Sequence, residues 1–178
     1  MGRVKTIARR SFLVGSAAIA GGVAFGYFAY KRPVENPLLE TLEPGEVALN
    51  PYVKIDASGI TLITPRADSG QGVYSVQAAL IAEELDVTLD QVRVDPGPPS
   101  PAYYNTALSE EGAPFRSTDD RFVAESARGF VDVVMKFTGM QITGGSTTVP
   151  DAYEKLRLAG AVARETLKLA ASQQTGVS

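Results

Sequence analysis

The segment from Phe12 to Tyr30 carries no charged residue over 19 positions, and this constrains the fold more than any other stretch. Four basic residues and no acidic residue precede it, and two basic residues follow it. A basic start followed by an apolar stretch is typical of an export signal or an N-terminal anchor. The stretch is also long enough to cross a bilayer as a helix. The sequence therefore predicts a hydrophobic signal or membrane-anchor helix in residues 1–32, either retained or cleaved.

The first residues also resemble a twin-arginine export signal. The pair Arg9-Arg10 precedes Ser11 and Phe12, although Ala8 stands where such signals usually carry Ser or Thr. The alternative, a buried amphipathic helix, needs a polar face that this stretch lacks. We therefore expect an exported protein at the periplasmic face of a bacterial inner membrane, held there by the N-terminal helix.

After the apolar segment the pattern changes to short elements separated by turns. Residues 33–50 contain three prolines and are predicted to be a linker. Alternating apolar residues at 52–56 and 60–64, around a glycine-containing turn, predict a β-hairpin. Residues 73–85 place apolar side chains at helical spacing among good helix formers. A short strand is predicted at 91–94.

The second half of the chain adds a long loop and two more helices. Residues 95–121 are rich in Pro, Gly, Ser and Asp, and so long a loop in a compact domain is usually functional or packed against another segment. Helices are predicted at 122–137 and at about 150–172. The order of strands and helices predicts an α+β fold for residues 51–178, with a small mixed sheet and packed helices.

The composition excludes several kinds of metal and catalytic site, because the chain of 178 residues has no cysteine and no histidine. Disulfides, thiolate-bound iron–sulfur clusters, zinc fingers, cysteine nucleophiles and Ser-His-Asp triads are impossible within it. Any metal must be held by a cofactor's own ligands, by oxygen atoms or by another polypeptide. The net charge of −3 gives no basic surplus, and we expect no nucleic-acid partner.

Two glycine-bearing loops precede predicted helices, and the first contains Gly70, Gln71 and Gly72. The glycines permit close backbone approach to a ligand, and the amide between them both donates and accepts hydrogen bonds. Free N–H groups at the start of the next helix point back at this loop. A tight strand-to-helix turn would explain both glycines without a ligand, and on the residues alone it is the favoured explanation.

The second loop consists of Gly144, Gly145, Ser146 and Thr147, with Thr148 directly after it. Backbone N–H groups, hydroxyls and a helix N-terminus together make an anion site, most naturally for phosphate. The alternative is that one hydroxyl caps the helix, which needs no ligand. The two loops together suggest one elongated ligand with a polar head and a phosphate. Neither loop matches the G-x-G-x-x-G or G-x-x-x-x-G-K nucleotide fingerprints.

Three features together resemble the large subunits of the xanthine dehydrogenase family of molybdenum hydroxylases, of the isoquinoline 1-oxidoreductase and membrane-bound aldehyde dehydrogenase type. The first is the twin-arginine-like N-terminus. The second is D-S-G-Q-G-V-Y-S-x-x-A-x-L-I-A-E-E-L at 68–85, similar to the family's E-M-G-Q-G-x-x-T stretch and the helix after it. The third is T-G-G-S-T-T at 143–148, followed by an A-G-A-x-A-R helix.

The resemblance implies a molybdopterin cofactor, usually in its cytosine dinucleotide form, whose dithiolene sulfurs hold the molybdenum. The residues that it assigns to cofactor binding are Gly70, Gln71, Gly72, Gly144, Gly145, Ser146 and Thr147. Gln71 would lie near an oxo ligand of the molybdenum, the two flanking glycines would keep the backbone close to the cofactor, and the second loop would lie near the phosphates. No residue of the chain would ligate the metal directly.

The resemblance also implies partners and an incomplete active site. In this family the iron–sulfur clusters sit on a separate [2Fe–2S] small subunit, and a cytochrome c subunit often takes the electrons. The large subunits run to several hundred residues, so a remaining large-subunit polypeptide is expected. The family's catalytic glutamate lies near the far C-terminus, and no catalytic residue is assigned here.

Glu83 and Glu84 are interpreted as a solvated or ion-paired helix face. Arg157 and Arg164, which lie on the last predicted helix with Lys155 and Lys168, could neutralise phosphates, but a solvated face is favoured.

The expected function is therefore part of an oxidoreductase. The chain would bind a molybdopterin cofactor in an enzyme that hydroxylates an aldehyde or an N-heterocycle with oxygen from water, and it would not be active alone. One alternative is a membrane-anchored accessory or assembly protein that keeps the fold without catalysis. Another is a truncated fragment of the same family.

Overall fold

The computed structural model describes the backbone of residues 2–176 and the side chains of residues 15–16 and 19–176. These residues form two units, the first ending at Pro33 and the second beginning at Val34. The first unit is one helix, α1 (Gly2–Lys31). The side chains of Arg9 and Arg10 lie outside the described part, so the twin-arginine-like signal stays a prediction.

The prediction of a hydrophobic membrane anchor is wrong. Among the described residues, no helix combines the length and the apolar character that crossing a bilayer requires. The segment has the length and lacks charge, but glycine and alanine fill much of it, with glycines at 15, 21, 22 and 26. These small residues bring little apolar surface per turn, because the free energy of leaving water scales with apolar area.

The second unit contains a mixed four-stranded sheet in the order β1-β2-β3-β4. Its strands are β1 (Val47–Asn50), β2 (Val53–Asp56), β3 (Gly59–Ile63) and β4 (Val92–Asp95). The first three strands are antiparallel neighbours, and β4 pairs with β3 in parallel. The predicted hairpin is β2–β3, and the predicted short strand is β4 shifted by one residue. The expected α+β arrangement, without its anchor, fits this sheet and the helices packed on it.

The segment predicted as a linker contains two short ordered pieces. Residues 47–50 form β1, whose register with β2 shifts between Ala48 and Asn50. A 3-10 turn at Pro37–Glu40 buries Leu38, which is 3% exposed. Neither piece was predicted from the sequence. Each is only four residues long and has too few positions to show a period, and the segment also contains prolines and acidic residues that are typical of a linker.

Four helices complete the second unit: α2 (Val73–Leu85), α3 (Leu108–Gly112), α4 (Phe122–Thr138) and α5 (Thr148–Thr175). The predictions for α2 and α4 are confirmed to within one residue. The helix α5 begins two residues before the predicted start and runs three residues beyond the predicted end. The short helix α3 lies within the long predicted loop. Tyr103 of this loop is buried, and its hydroxyl donates to the Pro51 carbonyl at 2.8 Å, which fixes the loop to the fold.

The main core lies where α2 and α5 pack against each other and against the sheet. Its buried members are Val53, Leu62, Ala78, Ile81, Ala82, Leu85, Ala152, Leu156 and Ala163. Both helices contribute buried alanines to this core, and such small side chains allow the backbones to approach closely. At Gly160 a Cβ atom would lie 2.3 Å from the Ile81 carbonyl oxygen, so only glycine fits this crossing.

Candidate functional site

The structure brings the two glycine-bearing loops together. Gln77 near the start of α2 lines a small cavity with Ala152 near the start of α5, whereas Ile81 meets Gly160 farther along both helices. The helices therefore run in the same direction, and the loops that precede them lie at one end of the pair. The backbone N–H of Ala67 in the first loop donates to the Thr143 hydroxyl before the second loop at 2.9 Å.

The first loop is held by hydrogen bonds of its own. Gly70 and Gly72 have φ of +102° and +79°, conformations that favour glycine. The Gln71 amide nitrogen donates to the Ala67 carbonyl at 2.8 Å, and its oxygen accepts from the Ser69 N–H at 2.7 Å. The Gln71 side chain is exposed, but its amide is already engaged within the loop. This geometry agrees with the structural explanation of the loop.

Asp68 caps helix α2, a role that the sequence analysis missed. Its carboxylate accepts from the N–H groups of Gly70 at 2.8 Å and Tyr74 at 3.0 Å. These hydrogen bonds hold the pKa of Asp68 below its ordinary value, and the one from the Tyr74 N–H has the largest effect. An acidic residue shortly before a helix is a typical cap and was the available signal. Its negative charge makes the start of α2 a poor site for a phosphate.

The second loop is more open. Gly144 and Gly145 have φ of +148° and +59°, and Ser146 also adopts a positive φ of +56°. All three residues are exposed. A Cβ atom built at Gly144 would meet nothing within 4 Å, so the backbone of this loop is accessible to a ligand.

Thr147 differs from its neighbours because its side chain points inward and is 2% exposed. Its hydroxyl donates to the Gly144 carbonyl at 2.7 Å and accepts from the Asn105 side-chain amide at 2.8 Å. The same Asn105 nitrogen donates to the Ile142 carbonyl at 2.9 Å. Thr147 therefore fixes the shape of the loop and does not offer its hydroxyl to a ligand.

A buried ionic cluster of Arg66, Asp151 and Lys155 lies at the base of both loops. Arg66 is 2% exposed and donates to Asp151 at 2.5 Å, and Lys155 donates to the same carboxylate at 2.5 Å. The Thr106 N–H donates to Asp151 at 2.7 Å, and Arg66 also donates to the Tyr103 carbonyl at 2.8 Å. The long loop at 95–121 is thus tied to the starts of α2 and α5.

The cluster places positive charge beneath the loops. Burial raises the pKa of Asp151, but Lys155 and Arg66 outweigh this effect and hold the pKa below its ordinary value. With the carboxyl ionised, these three residues hold two cations and one anion, but Asp132 also acts on Lys155, whose side chain is 25% exposed. Solvent and Asp132 screen part of this charge, so the cluster adds only weakly to the attraction of an anion to the loops.

The cluster itself does not hold a ligand. The cavity that Arg66, Gln77, Asp151 and Lys155 help to line has a volume of about 10 Å³, which is the size of one water molecule. A cofactor would therefore contact the outer surface of the loops. Among the described residues, no group of three or more acidic, histidine or cysteine side chains could hold a metal ion.

The two glutamates on α2 are not part of this site. Glu84 forms an ion pair with Arg157 of α5, with the Arg157 Nε donating at 2.8 Å, and so joins the two helices. The ion-paired interpretation of Glu84 is confirmed. Lys155, by contrast, does not lie on a solvated face as favoured, because it binds Asp151 and donates to the Tyr104 carbonyl at 2.8 Å.

Among curated proteins, the chain is similar to one named isoquinoline 1-oxidoreductase subunit beta, from Brevundimonas diminuta, with 28% identity over 172 residues. The alignment covers 96% of this chain and 18% of the relative's length. The chain thus spans less than a fifth of the relative that it matches. No protein-family model and no solved structure matches the chain. The similarity is distant and relates the chain to one subunit of an oxidoreductase.

Proposed function

We propose that the chain supplies part of the cofactor site of a molybdenum hydroxylase. The observation that carries this proposal is the similarity to an oxidoreductase subunit over 96% of the chain. The meeting of the two glycine-bearing loops, whose motifs resemble those of the family, supports the location of the site. The reaction proposed for the complete enzyme is hydroxylation of an aldehyde or an N-heterocycle with oxygen from water.

The second loop fits a phosphate-bearing cofactor. Its exposed backbone at Gly144 and Gly145 and the Ser146 hydroxyl provide hydrogen-bond donors at the N-terminus of α5. We assign these three residues to the phosphates of a molybdopterin, in the cytosine dinucleotide form that the resemblance suggests. Thr147, which we expected to contact the cofactor, is assigned a positioning role because its hydroxyl points inward.

The first loop fits the cofactor only after a local change. Gln71 must leave the Ala67 carbonyl and the Ser69 N–H before its amide is free to bind a ligand. Such an exchange costs little free energy, because the side chain is exposed and the hydrogen bonds are local. Gly70 and Gly72 then allow close backbone approach. When bound, the molybdenum cofactor would supply the oxygen-transfer and redox chemistry, and no catalytic residue is assigned to this chain.

The proposed enzyme needs other polypeptides. They are the remaining part of the large subunit, a [2Fe–2S] small subunit and, as electron acceptor, a cytochrome c subunit. Export to the periplasm through the Arg9-Arg10 pair is a further part of the proposal, without a membrane-spanning anchor. Cell fractionation would test this location, and recovery of the chain with cytoplasmic proteins would contradict it.

Metal and pterin analysis of the native complex tests the proposal. We expect molybdenum and pterin to co-purify with the chain, and Ser146→Asp to lower both at least tenfold, because a negative charge would enter the phosphate site. The control is Gln173→Glu, which adds the same charge at an exposed position near the end of α5. Wild-type cofactor content in Ser146→Asp, or a native complex without molybdenum, would overturn the assignment.

A non-catalytic accessory role is the second candidate. The observation that favours it is the engagement of Gln71 within its own loop, together with the cap that Asp68 provides. A chain that keeps the family loops only as scaffold would show this arrangement. In that case the purified native complex would contain neither molybdenum nor pterin, while the chain remained folded.

A further inference from the structure

Helix α4 carries its apolar side chains on the outside of the molecule. Phe122, Phe130 and Phe137 are 84%, 70% and 60% exposed, and Val123 and Val134 are 65% and 37% exposed. These five residues lie within one face of the helix at 100° per residue. We call them the α4 outer face.

The opposite side of α4 contacts the rest of the unit through buried Ala124 and through half-buried residues that include Val131 and Met135. Only Ala124 is fully buried among the 17 residues of the helix. Arg128 donates to the carbonyls of Arg116 at 3.3 Å and Asp119 at 2.5 Å. The glycine that ends the helix, Gly139, packs closely on Pro101. Helix α4 therefore carries apolar residues on its inner side as well as on its outer face.

The α4 outer face exposes as much apolar surface as the largest patch of a typical soluble protein. With about 200 Å² for each phenylalanine, the three rings leave roughly 400 Å² of apolar surface uncovered. The largest apolar patch of a soluble protein is typically about 300–600 Å² and is often functional, so the α4 outer face has the size of a candidate interaction site. Aromatic residues without intervening charges are also the composition that protein–protein interfaces favour at their centre.

We infer that the α4 outer face docks the polypeptide that supplies the remainder of the large subunit, an inference that rests on the proposed function. In the relative, the part similar to this chain is 18% of the length, so about four-fifths of that protein is available to cover it. A helix that is covered in the longer protein would keep apolar residues on both sides. Helix α4 shows this pattern, with exposed phenylalanines on one side and buried or half-buried apolar residues on the other.

Co-expression with the complementary polypeptide tests this inference. The probe is the polypeptide of the same genome that aligns with the part of the relative that this chain does not cover. We expect the two chains to co-purify at equal amounts, with the mass measured by light scattering. The double substitution Phe130→Gln and Phe137→Gln should lower the recovered complex at least tenfold, because both rings leave the interface.

The matched control is Leu39→Gln, an apolar side chain that is 60% exposed outside α4. It should leave the amount of complex unchanged, and circular dichroism should show that all variants remain folded. Full complex formation by the double variant, or no complex with this polypeptide, would overturn the inference. A self-associated dimer that the double variant loses would do the same, because it would assign the surface to a second copy.

The experiment separates this inference from the proposed function. A complex that depends on α4 but contains no molybdenum would support the docking surface and refute the cofactor proposal. A chain that co-purifies with molybdenum and pterin, with a complex that the double substitution leaves intact, would support the cofactor proposal and refute the docking surface.

Discussion

Asp151 is the residue on which the loop region most depends. Its carboxylate accepts hydrogen bonds from Arg66, Lys155 and Thr106, and 5% of the residue is exposed. A buried ion pair contributes little by comparison with an apolar core, but removing one partner leaves the other charge unpaired in a medium of low dielectric. The sequence indicated Asp151 only as a residue at a helix start.

Asp151→Asn should therefore destabilise the protein by about 3–5 kcal/mol, because buried Arg66 would lose its counter-charge. The free energy of unfolding, measured by urea denaturation, checks this. The control is Asp119→Asn, which breaks the surface pair with Arg121, a side chain that is 74% exposed. The control should leave the urea midpoint unchanged. Equal midpoints for the two variants would show that the buried pair is not needed.

The helices show how much of an element's position and role can be predicted from its own residues. The boundaries of α2 and α4 followed from apolar spacing and helix formers, which are local properties. The anchor prediction for the first helix failed because length and lack of charge were considered, while the small apolar surface of its glycines and alanines was not. The packing role of Gly160 could not be predicted either, since a glycine in a helix pattern does not show which backbone lies against it.

Gly160→Ala should destabilise the protein by about 1–3 kcal/mol, because the new Cβ would overlap the Ile81 carbonyl and separate α2 from α5. Gly129→Ala is the matched control, since Gly129 also lies within a helix but has nothing within 4 Å of its Cβ position. The control should stabilise the protein by about 0.5–1 kcal/mol through helix propensity. Thermal and urea unfolding of both variants would measure the difference in sign, and destabilisation by both would contradict the close-packing argument.

The whole chain consists of two units, and the second has a core of its own. Its two buried clusters draw their residues from Leu38 onward, and the ionic cluster of Arg66, Asp151 and Lys155 also lies within it. The candidate site therefore depends on the second unit. Less than a fifth of the relative's length is represented, so the complete reaction belongs to the proposal and not to the findings.

A chain that begins at Val34 should keep the free energy of unfolding of the second unit to within about 0.5 kcal/mol, because the buried core residues are all retained. Urea denaturation followed by circular dichroism, compared between this chain and the full-length protein, checks the expectation. A loss of more than about 1 kcal/mol would contradict it.

The sequence by itself determined the α+β class, the β2–β3 hairpin, the main helices and the two glycine-bearing loops. Each of these follows from residues near one another in the chain, through apolar periodicity, turn residues or backbone freedom at glycine. The tertiary structure alone decided that Arg66 pairs with Asp151 across 85 positions, that Thr147 points inward, that Gln71 binds its own loop, and that α4 turns its phenylalanines outward. These features depend on which elements pack together, and packing joins residues whose separation in the sequence carries no local pattern.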